Sequence, residues 1–290
     1  MAFPAVKHKH IKYAFLLPAV IWMLAFTVYP LFYALYMSFS KIKLTGPDTF
    51  VGLANYIRIF SDYYVGNSAK LTTIMVLTTV TLQVVIGLVL ALIMNAEIVG
   101  RRYFRTLFSL PIFVAPIAIG YLGHTIFFEQ GGPINIVLTS LGVPPIPWLS
   151  HPTWAFVAIC MIEVWIATPF CFMVLLAGLQ GLPEEVYEAA RLDYKSEWQI
   201  FKRITLPLLA PVILIVFLLR LISALRILDT VYALTAGGPG TATEVYSLIT
   251  YRAAMKFFDF GYGAALAYVL LVVVMLILTF FFRRMREIYE

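Results

Sequence analysis

Charge is scarce in this sequence: Asp, Glu, Lys and Arg together make up 12% of its 290 residues. That is about half the share of an ordinary soluble domain. With 62% hydrophobic residues and a mean hydropathy of +0.91, the composition excludes a soluble globular chain. Cysteine is nearly missing. Cys160 and Cys171 stand eleven residues apart in one apolar run. On a helix that separation is a rise on the order of 16 Å, too far for a bridge. Both read as small buried hydrophobes. The four histidines, His8, His10, His124 and His151, lack H-E-x-x-H spacing. No G-x-S-x-G and no paired acidic motif occurs, which argues against a membrane enzyme. No G-x-x-x-x-G-K-[ST] loop occurs either, so ATP is not bound by that route. No internal repeat and no relay of intramembrane acids stands out, which argues against a transporter driven by an ion gradient.

What the chain has is long apolar runs. Six stretches reach the roughly 20 residues needed to cross a bilayer: about 13–39, 71–96, 106–128, 154–180, 205–227 and 262–282. The first is far longer than the roughly 7–15 residues of a cleaved signal core, so it reads as an uncleaved span. Prolines interrupt several runs, at Pro18, Pro30, Pro111, Pro116, Pro169, Pro207 and Pro211. Such breaks predict a bundle with bends and a cavity.

The net charge of +6 does not form a stripe for nucleic acid. The basic residues cluster at the ends of apolar runs. Thirteen of the 21 lie on one side: Lys7, Lys9 and Lys12; Arg101, Arg102 and Arg105; Arg191, Lys195, Lys202 and Arg203; Arg283, Arg284 and Arg286. Six lie on the other, with Arg220 and Arg226 left over. The excess of positive charge predicts a cytoplasmic segment 1–12, a cytoplasmic C-terminus and a cytoplasmic loop at 181–203. His8 and His10 read as members of the basic interfacial cluster rather than as metal ligands.

That loop is the long charged segment between two apolar runs: GLPEEVYEAARLDYKSEWQIFKRITLPLLAP, from Gly181 to Pro211. Pro183 suits a first helical turn, and Glu184 and Glu185 meet the positive end of the helix dipole. Val186, Ala189 and Ala190 fall on one face at helical spacing. The pattern restarts at Ser196, with Gln199 three residues on, a capping-box spacing. The expectation is helix, a sharp turn near Asp193-Tyr194-Lys195, a second helix, then Leu206-Pro207 leading into a span.

Here the chain resembles a family. Glu188-Ala189-Ala190, three residues, a turn position, nine residues and Ile204-x-Leu206-Pro207 resemble the EAA loop of ABC importer permeases. The resemblance implies that Val186, Glu188, Ala189, Ala190, Asp193 and Tyr194 dock into a groove of an ATP-binding subunit. One position departs: Tyr194 stands where the family has glycine, which implies a differently shaped turn. Phe50-Val51-Gly52-Leu53-Ala54-Asn55-Tyr56 resembles an element found after the first span of sugar-type permeases. Asp229 to Glu244, with Gly237-Gly238-Pro239-Gly240 inside it, resembles a stretch of carbohydrate permeases. The resemblance implies contact between those four residues and an extracytoplasmic solute-binding protein. Thr241 and Glu244 have capping-box spacing and predict a helix start. A phosphate cradle there is disfavoured, because no Lys-Ser/Thr follows.

Ionisable residues inside a span are costly and mark function by default. Glu163 and Trp165, in Ile162-Glu163-Val164-Trp165-Ile166-Ala167-Thr168-Pro169-Phe170, match an acid-V-W-x-x-T-P-F element of the family. Glu163 offers a hydrogen bond to sugar hydroxyls and Trp165 an apolar stacking face. The structural alternatives are a helix-to-helix pair for Glu163 and plain packing for Trp165. Arg220 has three options: pairing with Glu163, snorkelling to the interface, or meeting an anionic substrate group. Gln83 and Asn95 read as interhelical hydrogen-bonders, and His124 as a helix-end residue.

The resemblance covers nearly the whole chain. It implies an all-α integral membrane fold of six transmembrane helices, like a type I ABC importer permease, with a cytoplasmic coupling hairpin. It implies a subunit that is not itself an enzyme and holds no cofactor. Two ATP-binding subunits use ATP and Mg. A second related permease completes the pathway for a sugar or sugar derivative, in a bacterial or archaeal cytoplasmic membrane.

Overall fold

The computed structural model describes residues 8–96 and 99–289. The basic segment expected at the N-terminus therefore begins, with Lys7, outside the described residues. In chain order the elements are α1 (His8–Met23), a π-turn, α2 (Tyr29–Ser38), the two-residue strands β1 (Ser40–Lys41) and β2 (Thr49–Phe50), α3 (Ala54–Ser61) and α4 (Tyr63–Asn95). Next come α5 (Arg101–Ser109), α6 (Pro116–Ile126), α7 (Pro133–Ser140), α8 (Pro152–Gln180), α9 (Glu184–Asp193) and α10 (Glu197–Ile200). The chain finishes with α11 (Leu206–Ala224), α12 (Asp229–Leu234), α13 (Tyr246–Tyr251) and α14 (Phe260–Tyr289). The described residues otherwise form helices and loops, apart from the antiparallel ladder of β1 and β2 and a single bridge between Lys43 and Asp259.

Among the described residues, five helical stretches are long and apolar enough to cross a membrane: Phe15–Ser38, Tyr63–Asn95, Pro152–Gln180, Glu197–Ala224 and Phe260–Arg283. The run expected as a span over 106–128, interrupted at Pro111 and Pro116, is two helices, Arg101–Phe113 and Pro116–Ile126, bent by 98°. Two prolines are the cause. Pro111 sits in a tight 3-10 turn and Pro116 opens α6, so neither supplies the backbone N–H that would carry a helix through.

The chain divides into two compact units. One holds residues up to Asp62 together with Thr250–Val273; the other holds Tyr63–Ile249 and Val274 onward. In the first unit, the Phe50–Tyr56 element makes the strand β2 and the start of α3. Asn55 is its tie: the amide donates to the backbone carbonyls of Ser38 (2.9 Å) and Ser40 (3.0 Å). Asp259 accepts from Arg58 at 3.1 Å, and the Arg58 guanidinium lies 3.8 Å from the centre of the Tyr262 ring. The span Phe15–Ser38 keeps most of its side chains exposed, with Ser38 buried at its end.

The second unit is built on α4 packed along α8. Lipid tails are as apolar as leucine, so helices associate in a bilayer through close packing and hydrogen bonds. Small residues make that approach possible. A β-carbon added at Gly87 of α4 would stand 2.6 Å from Cys171 Cβ and 3.0 Å from the Phe172 nitrogen on α8. Cys171 and Phe172 are fully buried there, and neither cysteine is bridged. Gly87→Ala therefore forces the two helices apart. We expect a loss of about 1–3 kcal/mol of stability, the usual cost of overpacking. An unchanged thermal midpoint of the purified protein would contradict this packing.

The stretch between α6 and α8 is held by two polar clasps. Asn135 donates to the carbonyls of Glu129 and Ile146 and accepts from Trp148 Nε1 at 3.1 Å. Glu129 Oε1 accepts from the backbone N–H groups of Leu149 (3.0 Å) and Ser150 (2.7 Å). Burial works against the Glu129 charge, but the hydrogen bonds from Ser150 and Leu149 outweigh it and hold the carboxyl below the ordinary range. A depressed folded pKa stabilises the loop above the unfolded value, ~4.3. That stability drains as pH falls through the folded value. Amide exchange at Leu149 and Ser150 should accelerate on acidification, and Glu129→Gln should flatten this dependence.

Candidate functional site

The charged hairpin is two helices at one end of the second unit. Pro183 is the N-cap of α9, and Glu184 and Glu185 occupy its first turn. The expected shared face of Val186, Ala189 and Ala190 divides. Ala190 is buried and Val186 half-buried, whereas Ala189 is exposed together with Glu188, Leu192 and Asp193. A helix advances 100° per residue, so adjacent alanines straddle the boundary between bundle and solvent. Tyr194 needs no special turn. Its backbone is extended, at φ −116° and ψ 134°, so the position that is glycine in the resembled family makes no left-handed demand here. The half-buried Tyr194 ring lies 5.4 Å from the Arg203 guanidinium. Ser196 caps α10 by accepting from Trp198 N–H at 3.3 Å.

The second hairpin helix does not stop before the span. From Glu197 to Ala224 the chain is one helical stretch of 28 residues, passing through a π-turn at Phe201–Thr205. Pro207 lacks the N–H that would close a regular turn onto Arg203, and the π-turn absorbs the defect. Tyr187 of α9 donates to Thr205 Oγ1 at 3.1 Å, fastening one hairpin helix to the other. Between the hairpin and the ends of α4 and α8 lies a cavity of about 990 Å³, lined among others by Asn95, Gln180, Tyr187, Arg191 and Trp198.

A second polar feature lies deeper along α8. Glu163 is 8% exposed. Thr230 of α12 donates to its Oε1 at 2.5 Å. Gln83 of α4, fully buried, donates to the Glu163 carbonyl at 3.1 Å and accepts from Arg220 Nε at 2.9 Å. Arg220 thus does not pair directly with Glu163; the Gln83 amide stands between them. Among the described residues nothing donates to Glu163 Oε2, and the terminal nitrogens of Arg220 donate to no partner. Both side chains line a cavity of about 370 Å³, with Ser223, Arg226, Asp229 and Thr230.

Trp165 does not join them. It is half exposed and lines a separate apolar groove with Leu82, Ile86 and Met161. Two residues along a helix turn a side chain through about 200°, so Glu163 and Trp165 cannot share a face. Arg226 carried no sequence signal beyond standing at the end of an apolar run, and Asp229 and Thr230, read as the start of the stretch resembling carbohydrate permeases, gave no sign that they meet Glu163. It is the short helix α12, turning back against α6 and α8, that brings Asp229 and Thr230 to Glu163.

The glycine-rich stretch follows α12. Gly237 is buried, Gly238 and Pro239 are half-buried and Gly240 is exposed, with φ of +87° and +59° at Gly237 and Gly240. No helix opens at Thr241; α13 begins at Tyr246. The Thr243 hydroxyl is spent inside the turn instead, donating to the Gly238 carbonyl at 2.7 Å and meeting Thr235 Oγ1 at 2.8 Å.

Residues 83–287 match the family described as binding-protein-dependent transport system inner membrane component. The chain belongs to that family. It is a multi-pass membrane permease component, and its relatives match it nearly end to end. It is 37% identical over 273 residues to the trehalose/maltose transport system permease protein MalF of Thermococcus litoralis, covering 93% of this chain and 92% of that one. It is 35% identical to the sulfoquinovosyl glycerol transport system permease protein SmoG of Agrobacterium fabrum, over 93% and 89% of the two chains. Among solved structures, a chain of a bacterial ABC transporter involved in import of the acidic polysaccharide alginate superposes with a TM-score of 0.86. The two are 25% identical, and 98% of each chain is covered. The permease fold is therefore that of an ABC importer.

Proposed function

We propose that this permease is half of the translocation pathway of an ATP-driven importer for a sugar or sugar derivative. It works with two ATP-binding subunits, a second related permease and an extracytoplasmic solute-binding protein. Both termini and the hairpin lie on the cytoplasmic side of a bacterial or archaeal cytoplasmic membrane, a placement supported by the excess of Lys and Arg there. ATP and Mg are used by the partner subunits. The carbohydrate substrate follows from the relatives' transport of trehalose, maltose and a sulfoquinovosyl glycerol.

The observation that carries the mechanism is the unbroken helix from Glu197 to Ala224. An ATPase subunit seated on Glu188, Ala189 and Asp193, with Val186, Ala190 and Tyr194 backing that face, pushes on one end of this stretch. Arg220 sits near the other end and is bonded through Gln83 to the backbone of Glu163. A displacement of the hairpin therefore reaches the small polar cavity along covalent and hydrogen-bonded links. That cavity lies at the lower end of the volume range of ligand sites, ~300–1,000 Å³. The carboxylate of Glu163 accepts from sugar hydroxyls, and the Arg220 fork donates to them. Gly237, Gly238, Pro239 and Gly240 form the turn that meets the binding protein.

Reconstitution with the ATPase, second permease and binding protein tests this. Solute-dependent ATP hydrolysis is expected. Uptake by this chain alone, driven by an imposed ion gradient, would overturn it. Orientation is tested separately by thiol labelling of Lys195→Cys from each face of the vesicle.

A further inference from the structure

Arg101 and Arg105 stand one turn apart on α5, the i and i+4 positions that share a face. That face meets the last residue of α8. With the Gln180 side-chain oxygen turned toward them, it accepts from Arg101 at 2.5 Å and from Arg105 at 2.6 Å. Two guanidinium groups therefore converge on one neutral oxygen. Phe108, a turn further along, holds α5 against α8 by an edge-on contact with Phe172 at 6.2 Å. Among the described residues no carboxylate pairs with either arginine, and the Nε atoms of both are buried without a hydrogen-bond partner. Two like charges held this close, each with an unused buried donor, call for an anion between them.

We propose that Arg101, Arg105 and Gln180 seat one phosphate group, that of an anionic phospholipid headgroup. Guanidinium forks match phosphate oxygens geometrically, where an ammonium presents only a point charge. Basic pockets between the cytoplasmic ends of membrane helices suit anionic headgroups. A lipid is favoured over a free phosphate by what continues from the charged turn. Phe104, three residues on from Arg101 and next to Arg105, is 44% exposed, offering an acyl chain an apolar surface beside the guanidinium groups. The seat also has a position to matter, because Gln180 lines the cavity beneath the coupling hairpin. This role rests on the cytoplasmic placement of the hairpin; the binding itself does not.

The test is native mass spectrometry of the full chain in micelles with equal phosphatidylglycerol and phosphatidylcholine. Micelles carry no orientation, so failure here is distinct from failure of the topology. We expect selective retention of phosphatidylglycerol, reduced about tenfold or more by Arg101→Gln with Arg105→Gln. Arg102→Gln, on the exposed side of the same helix, should retain it. If the double variant does not fold, Arg105→Lys keeps the charge but loses the fork, and a several-fold reduction is expected. Equal retention of the two lipids, or retention that survives the double variant or Arg105→Lys, overturns the proposal. Displacement by millimolar inorganic phosphate would assign the seat to a free anion and overturn the lipid. Glu97, four residues before Arg101, lies outside the described residues. Selectivity seen only in Glu97→Gln would make Glu97 the native counter-ion and overturn it as well.

Discussion

Glu188→Lys should leave the permease inserted and assembled and reduce solute-stimulated ATP hydrolysis at least tenfold. Glu188 is exposed and makes no side-chain hydrogen bond or ion pair among the described residues, so the fold does not depend on it. In the docking proposed above, its contribution lies toward a partner. Reversing a charge at a desolvated interface strands the group that faced it, which costs roughly 2–5 kcal/mol. At the low end that is a factor of about 30 in coupling. The contrasting position is two residues away. Ala190 is buried against the bundle, so Ala190→Lys should disturb folding as well as coupling. Measuring ATPase rates beside the yield of assembled complex separates the two effects. Wild-type hydrolysis in a fully assembled Glu188→Lys complex would remove the hairpin from the mechanism.

Glu163→Ala should lower transport at least tenfold while the complex still assembles. Glu163 lies 8% exposed at the wall of the polar cavity, with one carboxylate oxygen held by Thr230. A hydrogen bond to a charged group contributes about 1.5–3 kcal/mol, so losing a single substrate contact accounts for the effect. The fold keeps its other tie at this level. Gln83 bonds the Glu163 backbone carbonyl, which alanine retains, and it goes on holding Arg220. Glu163→Gln keeps the shape, the acceptor oxygen and the Thr230 contact, so it should recover part of the transport. Complexes that fail to assemble with alanine would show instead that the carboxylate is a structural pin between α8 and α12.

These two residues illustrate how unevenly the sequence speaks. The hairpin was legible because charge between two apolar runs has few readings, and its caps obey local rules at Pro183 and Ser196. Its continuity with α11 was not. Leu206-Pro207 reads as a boundary, and only a π-turn, a feature without a spacing signature, carries the helix past the proline. Tyr194, standing where the family has glycine, implied a differently shaped turn, and its backbone there is extended. Thr241 and Glu244 had capping spacing, yet Thr243 uses its hydroxyl within the glycine turn and the helix starts later.

Composition alone determined that this chain lives in a membrane, roughly how often it crosses, and which end of the bundle carries the charge. Those properties are sums over many residues, and each rests on the free energy of moving side chains out of water. Which residues meet inside the bundle was decided only by the tertiary structure. Glu163, Gln83, Arg220 and Thr230 come from four separate helices, and Trp165 was turned away from them by the pitch of its own. In a bilayer the helices are placed by shape and by a few hydrogen bonds, and neither leaves a periodic trace along the chain.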